Sequence, residues 1–313
     1  MRRIDLHAHV IPDAYRELLI APDGSPVFVP DARLEELVAM MERYEIDAAA
    51  ISTGPPGAFL GDQGRANETA RAANEAIAAI VRSAPERFAG LALLPLPDSG
   101  AAIDELGYAL DELGLDGVML LSNTAGIYLG DERWESLYEE LDRRRTYVFV
   151  HPTLPPHALP LGHEHPMWLY EFPFDTTRAL AKLIFSGTLE RYPSIRMQFA
   201  HLGGAAPFLA HRLASLADRE PERASLAPAG AIEYLRRQYY DTGLSDNAPA
   251  LAATRELVPL EHIVFGTDWP YVALPESGSD PAPALALLSA EERAGIDHRH
   301  AATLVPRLVR TPA

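Results

Sequence analysis

The sequence predicts an α/β fold, a (β/α)8 TIM barrel, on three observations. Short β-type runs alternate with longer stretches of helical period from end to end, the pattern of a parallel sheet built from βα units. Eight such runs can be counted, the number a closed barrel needs. The chain's 313 residues exceed the roughly 250 of a minimal barrel and leave room for inserted loops. An open doubly wound sheet is the alternative. It normally brings a Gly-rich phosphate loop, and none follows the first run.

The expected strands are residues 4–6, 47–52, 88–93, 117–121, 146–150, 195–200, 238–241 and 262–265. The seventh is the weakest, being short and polar. Amphipathic helical stretches fall between them, among others at 31–44, 64–83, 101–113, 131–143 and 176–192. Asp31 and Asp175 stand where N-caps are expected, and Gly114 where a helix would stop. Three Pro-punctuated segments exceed what a minimal barrel needs: 12–30 after the first strand, 152–173 after the fifth and 270–283 after the eighth. Loops this long are usually lids or binding loops, and in a barrel all βα loops open on the catalytic face. No repeat, low-complexity tract or linker is visible, so 1–313 is expected to be a single domain.

Composition narrows the functional classes. With 48% hydrophobic residues the chain can bury its own core, and disorder is excluded as its main state. Its 27 basic and 44 acidic residues give a net charge of −17, which argues against a nucleic-acid partner. Cysteine is absent, which removes disulfides, thiolate metal sites and cysteine nucleophiles together. The N-terminus reaches Asp5 and His7 before any apolar stretch long enough for a signal peptide. No run of about 18 apolar residues follows, so a soluble cytoplasmic protein is expected.

Side chains with metal affinity fall at the ends of the predicted strands. His7 and His9 close the first, His151 follows the fifth, His201 the sixth and Asp268 the eighth. Residues i and i+2 of a strand face one side, so His7 and His9 can share one cation, and in a closed barrel the other ends converge on the same mouth. Imidazoles with one carboxylate around an open position suit zinc or a similar divalent ion.

Four motifs carry a resemblance: Asp5-Leu6-His7-Ala8-His9, Val150-His151-Pro152, Ala200-His201-Leu202-Gly203-Gly204 and Gly266-Thr267-Asp268-Trp269-Pro270. In this order they resemble the amidohydrolase superfamily, in its branch of aminocarboxymuconate-semialdehyde decarboxylase and the aromatic-acid decarboxylases. The likeness runs from Ile4 to about Arg310. It implies one divalent metal held by His7, His9, His151 and Asp268, with His201 beside it handling bound water or a proton. It further matches Arg212 to an arginine that crosses a homodimer interface to bind substrate carboxylate, and Trp168 to a pocket tryptophan. The alternatives are an ion-paired surface arginine and a tryptophan packed in its loop.

Departures from the family pattern refine the expectation. The semialdehyde decarboxylase takes a second substrate arginine from the loop after strand one, and Asp23-Gly24-Ser25-Pro26-Val27-Phe28-Val29 has none, which argues against a dicarboxylate. Some aromatic-acid decarboxylases of the branch carry glutamate where His7 stands, which favours zinc over manganese here. The segment from Trp168 to Arg178 is closest to salicylate-type decarboxylases, including those acting on 6-methylsalicylate. Binuclear members bridge two metals with a carboxylated lysine at a strand end. The only lysine, Lys182, falls mid-helix, so one metal is expected and Schiff-base chemistry is excluded.

The expected activity is therefore metal-dependent, non-oxidative decarboxylation of a small aromatic, ortho-hydroxylated acid, with the proton delivered by Asp268 or His201. Hydrolysis of a lactone or amide by the same metal-bound water is the alternative, and a metal-binding scaffold without activity the third. Phe59, Phe172 and Phe174 are candidates for an apolar pocket wall or for plain core packing. His163-Glu164-His165 is a second His-x-His, but it sits in a Pro-rich loop with no strand to aim it.

Overall fold

Eight strands hydrogen-bond to one another in chain order, and every pairing is parallel. They are β1 (Ile4–His9), β2 (Ala48–Ser52), β3 (Phe88–Leu93), β4 (Gly117–Leu121), β5 (Tyr147–His151), β6 (Arg196–Phe199), β7 (Tyr239–Asp241) and β8 (Ile263–Val264). The computed structural model describes residues 3–156, 165–243, 247–275 and 280–309. The ring closes where the chain leaving β8 runs beside β1. Leu6 N donates to Phe265 O at 2.9 Å, Asp268 N to His7 O at 2.7 Å and His9 N to Trp269 O at 2.9 Å. The closing hydrogen bonds thus involve the two segments that carry His7, His9 and Asp268.

Nine principal helices cover the outside among the described residues: α1 (Leu34–Arg43), α2 (Gln63–Ser83), α3 (Ser99–Gly107), α4 (Glu135–Arg143), α5 (Glu171–Phe185), α6 (Ala206–Ala214), α7 (Ala231–Arg236), α8 (Ala248–Leu257) and α9 (Ala290–Asp297). Strands buried on both faces read as continuous apolar runs, as Gly117–Leu121 and Tyr147–His151 do. Alternation then divides their side chains between two layers. Ile51, Val118, Leu120, Val148 and Val150 pack outward with Leu37, Ile77, Leu106, Leu141 and Leu180 of the helices. Met119, Tyr147 and Phe149 belong to a second buried cluster with Leu91 and Leu93.

The third and fourth strands have the predicted bounds, and the others differ at their ends. The first runs on to His9, which places both histidines inside the strand. Two N-cap expectations are overturned. α1 begins at Leu34, after Asp31, and Glu36 Oε2 accepts from Arg33 N at 3.1 Å. α5 begins at Glu171, because Pro173 sits in the first turn, where no i−4 hydrogen bond is lost. Asp175 is therefore a buried helical residue. The stretch 101–113 is split, with α3 followed by a π turn at Tyr108–Glu112 before Gly114 at φ +72°.

Asn74 shows how a buried polar group fixes the frame. It lies inside α2, donates from Nδ2 to Leu93 O at 2.9 Å and Glu105 Oε1 at 2.8 Å, and accepts from Leu93 N at 2.7 Å. It so ties α2 to the C-terminal end of β3 and to α3. Asn74→Ala leaves the Leu93 main chain buried without these partners and is expected to cost about 2–4 kcal/mol. Urea unfolding followed by circular dichroism measures it, and an unchanged midpoint contradicts the assignment.

Candidate metal centre

The inward face of β1 presents Asp5, His7 and His9 in the i, i+2, i+4 register. His151 and Asp241 are the last residues of β5 and β7, while His201 and Asp268 follow β6 and β8. His201, Leu202 and Asp268 have φ of 59°, 53° and 58°, a left-handed conformation that costs a non-glycine residue about 1–2 kcal/mol. Such strain persists where the surroundings over-determine it. Here Asp5 accepts from His7 N at 2.9 Å, Thr267 N at 3.1 Å and Thr267 Oγ1 at 2.6 Å, locking the turn that aims Asp268.

Four imidazoles surround the Asp268 carboxylate. Oδ1 lies 3.0 Å from His7 Nε2, 3.2 Å from His9 Nε2 and 3.5 Å from His151 Nε2, and Oδ2 lies 3.0 Å from His201 Nε2. All five side chains are buried. Ligand-capable atoms of His7, His151, His201 and Asp268 fall within 4.8 Å of one another. His9 stands beside this group, with Nδ1 at 3.0 Å from Ser52 Oγ and Nε2 on the same Asp268 oxygen. The structure thus brings together every residue in which the sequence reading placed metal or proton chemistry.

The outer partners decide what the rings can do. His7 Nδ1 faces Asp241 Oδ1 at 2.9 Å, and His151 Nδ1 faces Pro152 O at 2.7 Å. Both partners are pure acceptors when Asp241 is ionised, so each Nδ1 carries the proton. Each ring, once its Nε2 gives up any proton, directs a lone pair toward Asp268, and both Nε2 atoms are buried. Burial drives the His151 imidazole down to about 3, which keeps it neutral and fit to ligate. Burial also pushes His7 down, but Asp241 and Asp268 outweigh it and carry the ring up to about 10. Against the cost of burial, His7 holds Asp268 well below the usual carboxylate range. Asp241 and Asp268 thus hold positive charge at this spot, which a proton on His7 supplies alone and a divalent cation among the Nε2 atoms would supply to several rings at once.

Asp241 was not visible as a functional residue in the sequence. Besides His7 it accepts from Gln198 Nε2 at 2.8 Å, His201 N at 3.1 Å and Gly243 N at 3.0 Å, and Gln198 Oε1 accepts from Tyr147 OH at 2.8 Å. Its one signal was its place as an acid at a strand C-terminus. Asp175, expected as a cap, instead accepts from Ser122 Oγ, from Asn123 Nδ2 at 3.1 Å and from Thr153 N at 3.1 Å. It fastens α5 to the ends of β4 and β5.

A cavity of about 490 Å³ opens on the centre, with His151 and Asp268 in its wall. Each predicted insertion contributes to it: Val27 and Phe28 after β1, Trp168 and Phe172 after β5, and Pro270 and Tyr271 after β8. The Phe172 ring lies 6.4 Å from that of His151. Phe59 lines a neighbouring cavity, and Phe174 is exposed. Arg212 is exposed on α6 and is not brought to the cavity within this chain. Lys182 Nζ pairs with Asp131 Oδ2 at 2.7 Å, away from any strand end. His163 and Glu164 lie outside the described residues, and His165 is exposed.

Comparison with known proteins agrees with this geometry. Residues 4–307 match the amidohydrolase family. The chain is 32% identical over 276 residues to 6-methylsalicylic acid decarboxylase of Penicillium expansum, covering 86% of this chain and 85% of that protein. It is 29% identical to 2-amino-3-carboxymuconate-6-semialdehyde decarboxylase of Dictyostelium discoideum, covering 86% and 82%. Its fold superposes with TM-score 0.82 on 5-carboxyvanillate decarboxylase of Novosphingobium aromaticivorans, a structure with manganese and 4-hydroxy-3-methoxy-5-nitrobenzoic acid, at 22% identity and covering 97% and 96%. With the family matched along nearly its whole length and the metal-ligating side chains gathered at the C-terminal mouth of the barrel, the chain belongs to the amidohydrolase family.

Proposed function

We propose that this protein is a metal-dependent, non-oxidative decarboxylase of a small ortho-hydroxylated aromatic acid. The observation that carries the reading is the pair of buried imidazole lone pairs, on His7 and His151, facing Asp268 beside an apolar cavity. The activities named for the relatives support it. Val27 and Phe28, where a second substrate arginine would stand, fit an aromatic ring and offer nothing to a second carboxylate.

His7, His9, His151 and Asp268 would hold the ion, with His201 on the far carboxylate oxygen. When bound, a divalent cation supplies Lewis-acid polarisation of the substrate's carboxylate and adjacent hydroxyl oxygen. Three or more imidazoles suit zinc, while the related carboxyvanillate structure contains manganese. Asp268 Oδ2 and His201 Nε2, 3.0 Å apart, share the proton that the reaction consumes. Its delivery to the ring carbon bearing the carboxylate makes that carbon tetrahedral. Cleavage of the carbon–carbon bond then releases carbon dioxide and returns the electron pair to the ring, restoring aromaticity. Phe172 and Trp168 flank the ring and exclude water. Arg212 would reach the substrate carboxylate of a partner subunit, in a cytoplasmic homodimer; Phe208, one turn before it on α6, is strongly exposed, as an interface residue is in an isolated chain.

Purified protein is expected to contain one divalent ion per chain and to release carbon dioxide from hydroxybenzoates. His151→Ala should lose the ion and at least about 1,000-fold in turnover. Ring-opened lactone in place of carbon dioxide would establish the hydrolase instead. His201→Asn is expected to keep the ion and lose about 100- to 10,000-fold in kcat; loss of the ion in that variant makes His201 a ligand. Arg212→Ala should raise KM about tenfold or more. Mixing it with His201→Asn should restore activity, since mixed dimers regain one complete site, and no recovery argues against a shared site.

A further inference from the structure

A second cavity, of about 240 Å³, adjoins the first. The two share Pro56, Thr153 and Leu154 in their walls. The second lies over the ends of β3 and β4, where Leu93, Met119 and Leu121 line it, and Phe59 and Leu60 of the loop after β2 face them. In the barrel register Leu121 stands opposite His151, so the chamber begins one strand away from the metal centre.

Most of its side chains are apolar, with Asn123, Thr124 and Thr153 the polar ones. Among the described residues no charged side chain lines it. Asn123, the most polar wall residue, is already committed, donating to Asp175 and accepting from Gly126 N at 3.0 Å. A carboxylate entering this space would be desolvated with no described cation to pair with, whereas a hydrocarbon group would gain contact with Phe59, Leu60, Leu93, Met119 and Leu121. The primary cavity is large enough for an aromatic ring, so a ring held at the centre would have a second space to one side.

We propose that this chamber is a substituent pocket, and that the aromatic acid bound at the metal centre carries an unbranched alkyl or alkenyl chain that enters it past Thr153 and Leu154. The inference rests on the reading of the centre as an aromatic-acid site, and it adds the substituent class to that reading. A chain of several carbons fits better than a methyl group alone, because the chamber is about half the volume of the cavity that takes the ring.

The experiment pairs turnover with binding, using metal-loaded protein. Hydroxybenzoates bearing chains of one, three or five carbons at each open ring position are assayed for carbon dioxide, and the matching alkylphenols are titrated by calorimetry. At one ring position affinity should rise about fourfold for each methylene buried. Thr124→Phe and Leu60→Trp, which fill the chamber from two different loops, should flatten that rise, cutting the pentyl-to-methyl ratio in affinity and in kcat/KM at least tenfold. Circular dichroism confirms that each variant is folded. Affinity that stays flat or falls with chain length at every position overturns the pocket, as does an equal slope in wild type and both variants. If no acid releases carbon dioxide while affinity still climbs with chain length, the decarboxylase reading fails and the pocket stands. Turnover of unsubstituted hydroxybenzoate with rejection of every longer chain has the opposite meaning.

Discussion

Two imidazole protons organise this molecule. His7 and His151 each commit Nδ1–H to an acceptor, Asp241 and the Pro152 carbonyl, and each therefore points an Nε2 lone pair at the same oxygen of Asp268. Lone pairs directed at a carboxylate repel it unless positive charge, a proton or a metal ion, lies between them. Among the described residues no lysine or arginine is buried there to supply that charge. The requirement for a cation is thus written into tautomers fixed by groups outside the ligand set, the arrangement by which outer partners orient metal-binding histidines in general.

The barrel makes those tautomers possible. Asp241 arrives on β7, more than two hundred residues after His7, and is itself held by Gln198 of β6, which is held by Tyr147 of β5. Closure between β1 and the chain after β8 does the same for Asp268, through Asp5 and Thr267. Both chains of contact end on the inward face of β1, so a register slip of one residue in that strand would turn His7 and His9 outward and break them together. Two glycines belong to this requirement. A Cβ at Gly243 would lie 2.7 Å from His7 Nδ1, and one at Gly266 would lie 2.7 Å from His7 Cβ.

Most of this architecture was legible in the sequence, for a physical reason. Strands buried on both faces leave dense apolar runs, and histidines at their ends have no structural purpose there, so their placement is conspicuous. Asp241 was not legible, because an acid closing a short polar strand looks like the start of a loop until its partner across the barrel is known. Asp175 was misread in a similar way. It stands just before the helical stretch 176–192, where a cap is expected, yet a proline in the first turn breaks nothing and the helix is already under way at Glu171. Arg212 shows a third kind of limit, since its proposed contact lies in a second subunit and nothing local in this chain can display it.

The net charge of −17 at first looks hostile to an anionic substrate, yet it has little bearing on the chemistry. Charges on the outer surface are screened within about 8 Å at physiological ionic strength, whereas the centre sits at the end of an apolar cavity. Proline and aromatic side chains from three inserted loops form much of that cavity's wall, and they lower the dielectric where the carboxylate must be bound. In such surroundings a single divalent charge outweighs many solvated carboxylates at a distance, and its effect is greatest on the carboxylate and hydroxyl oxygens it would hold. The walls are selective as well: a charged substituent gives up its water on entry and meets no described cation, while a hydrocarbon one gains contact with the apolar side chains. Substrate choice in this barrel thus falls to its loops, and the metal chemistry to its strand ends.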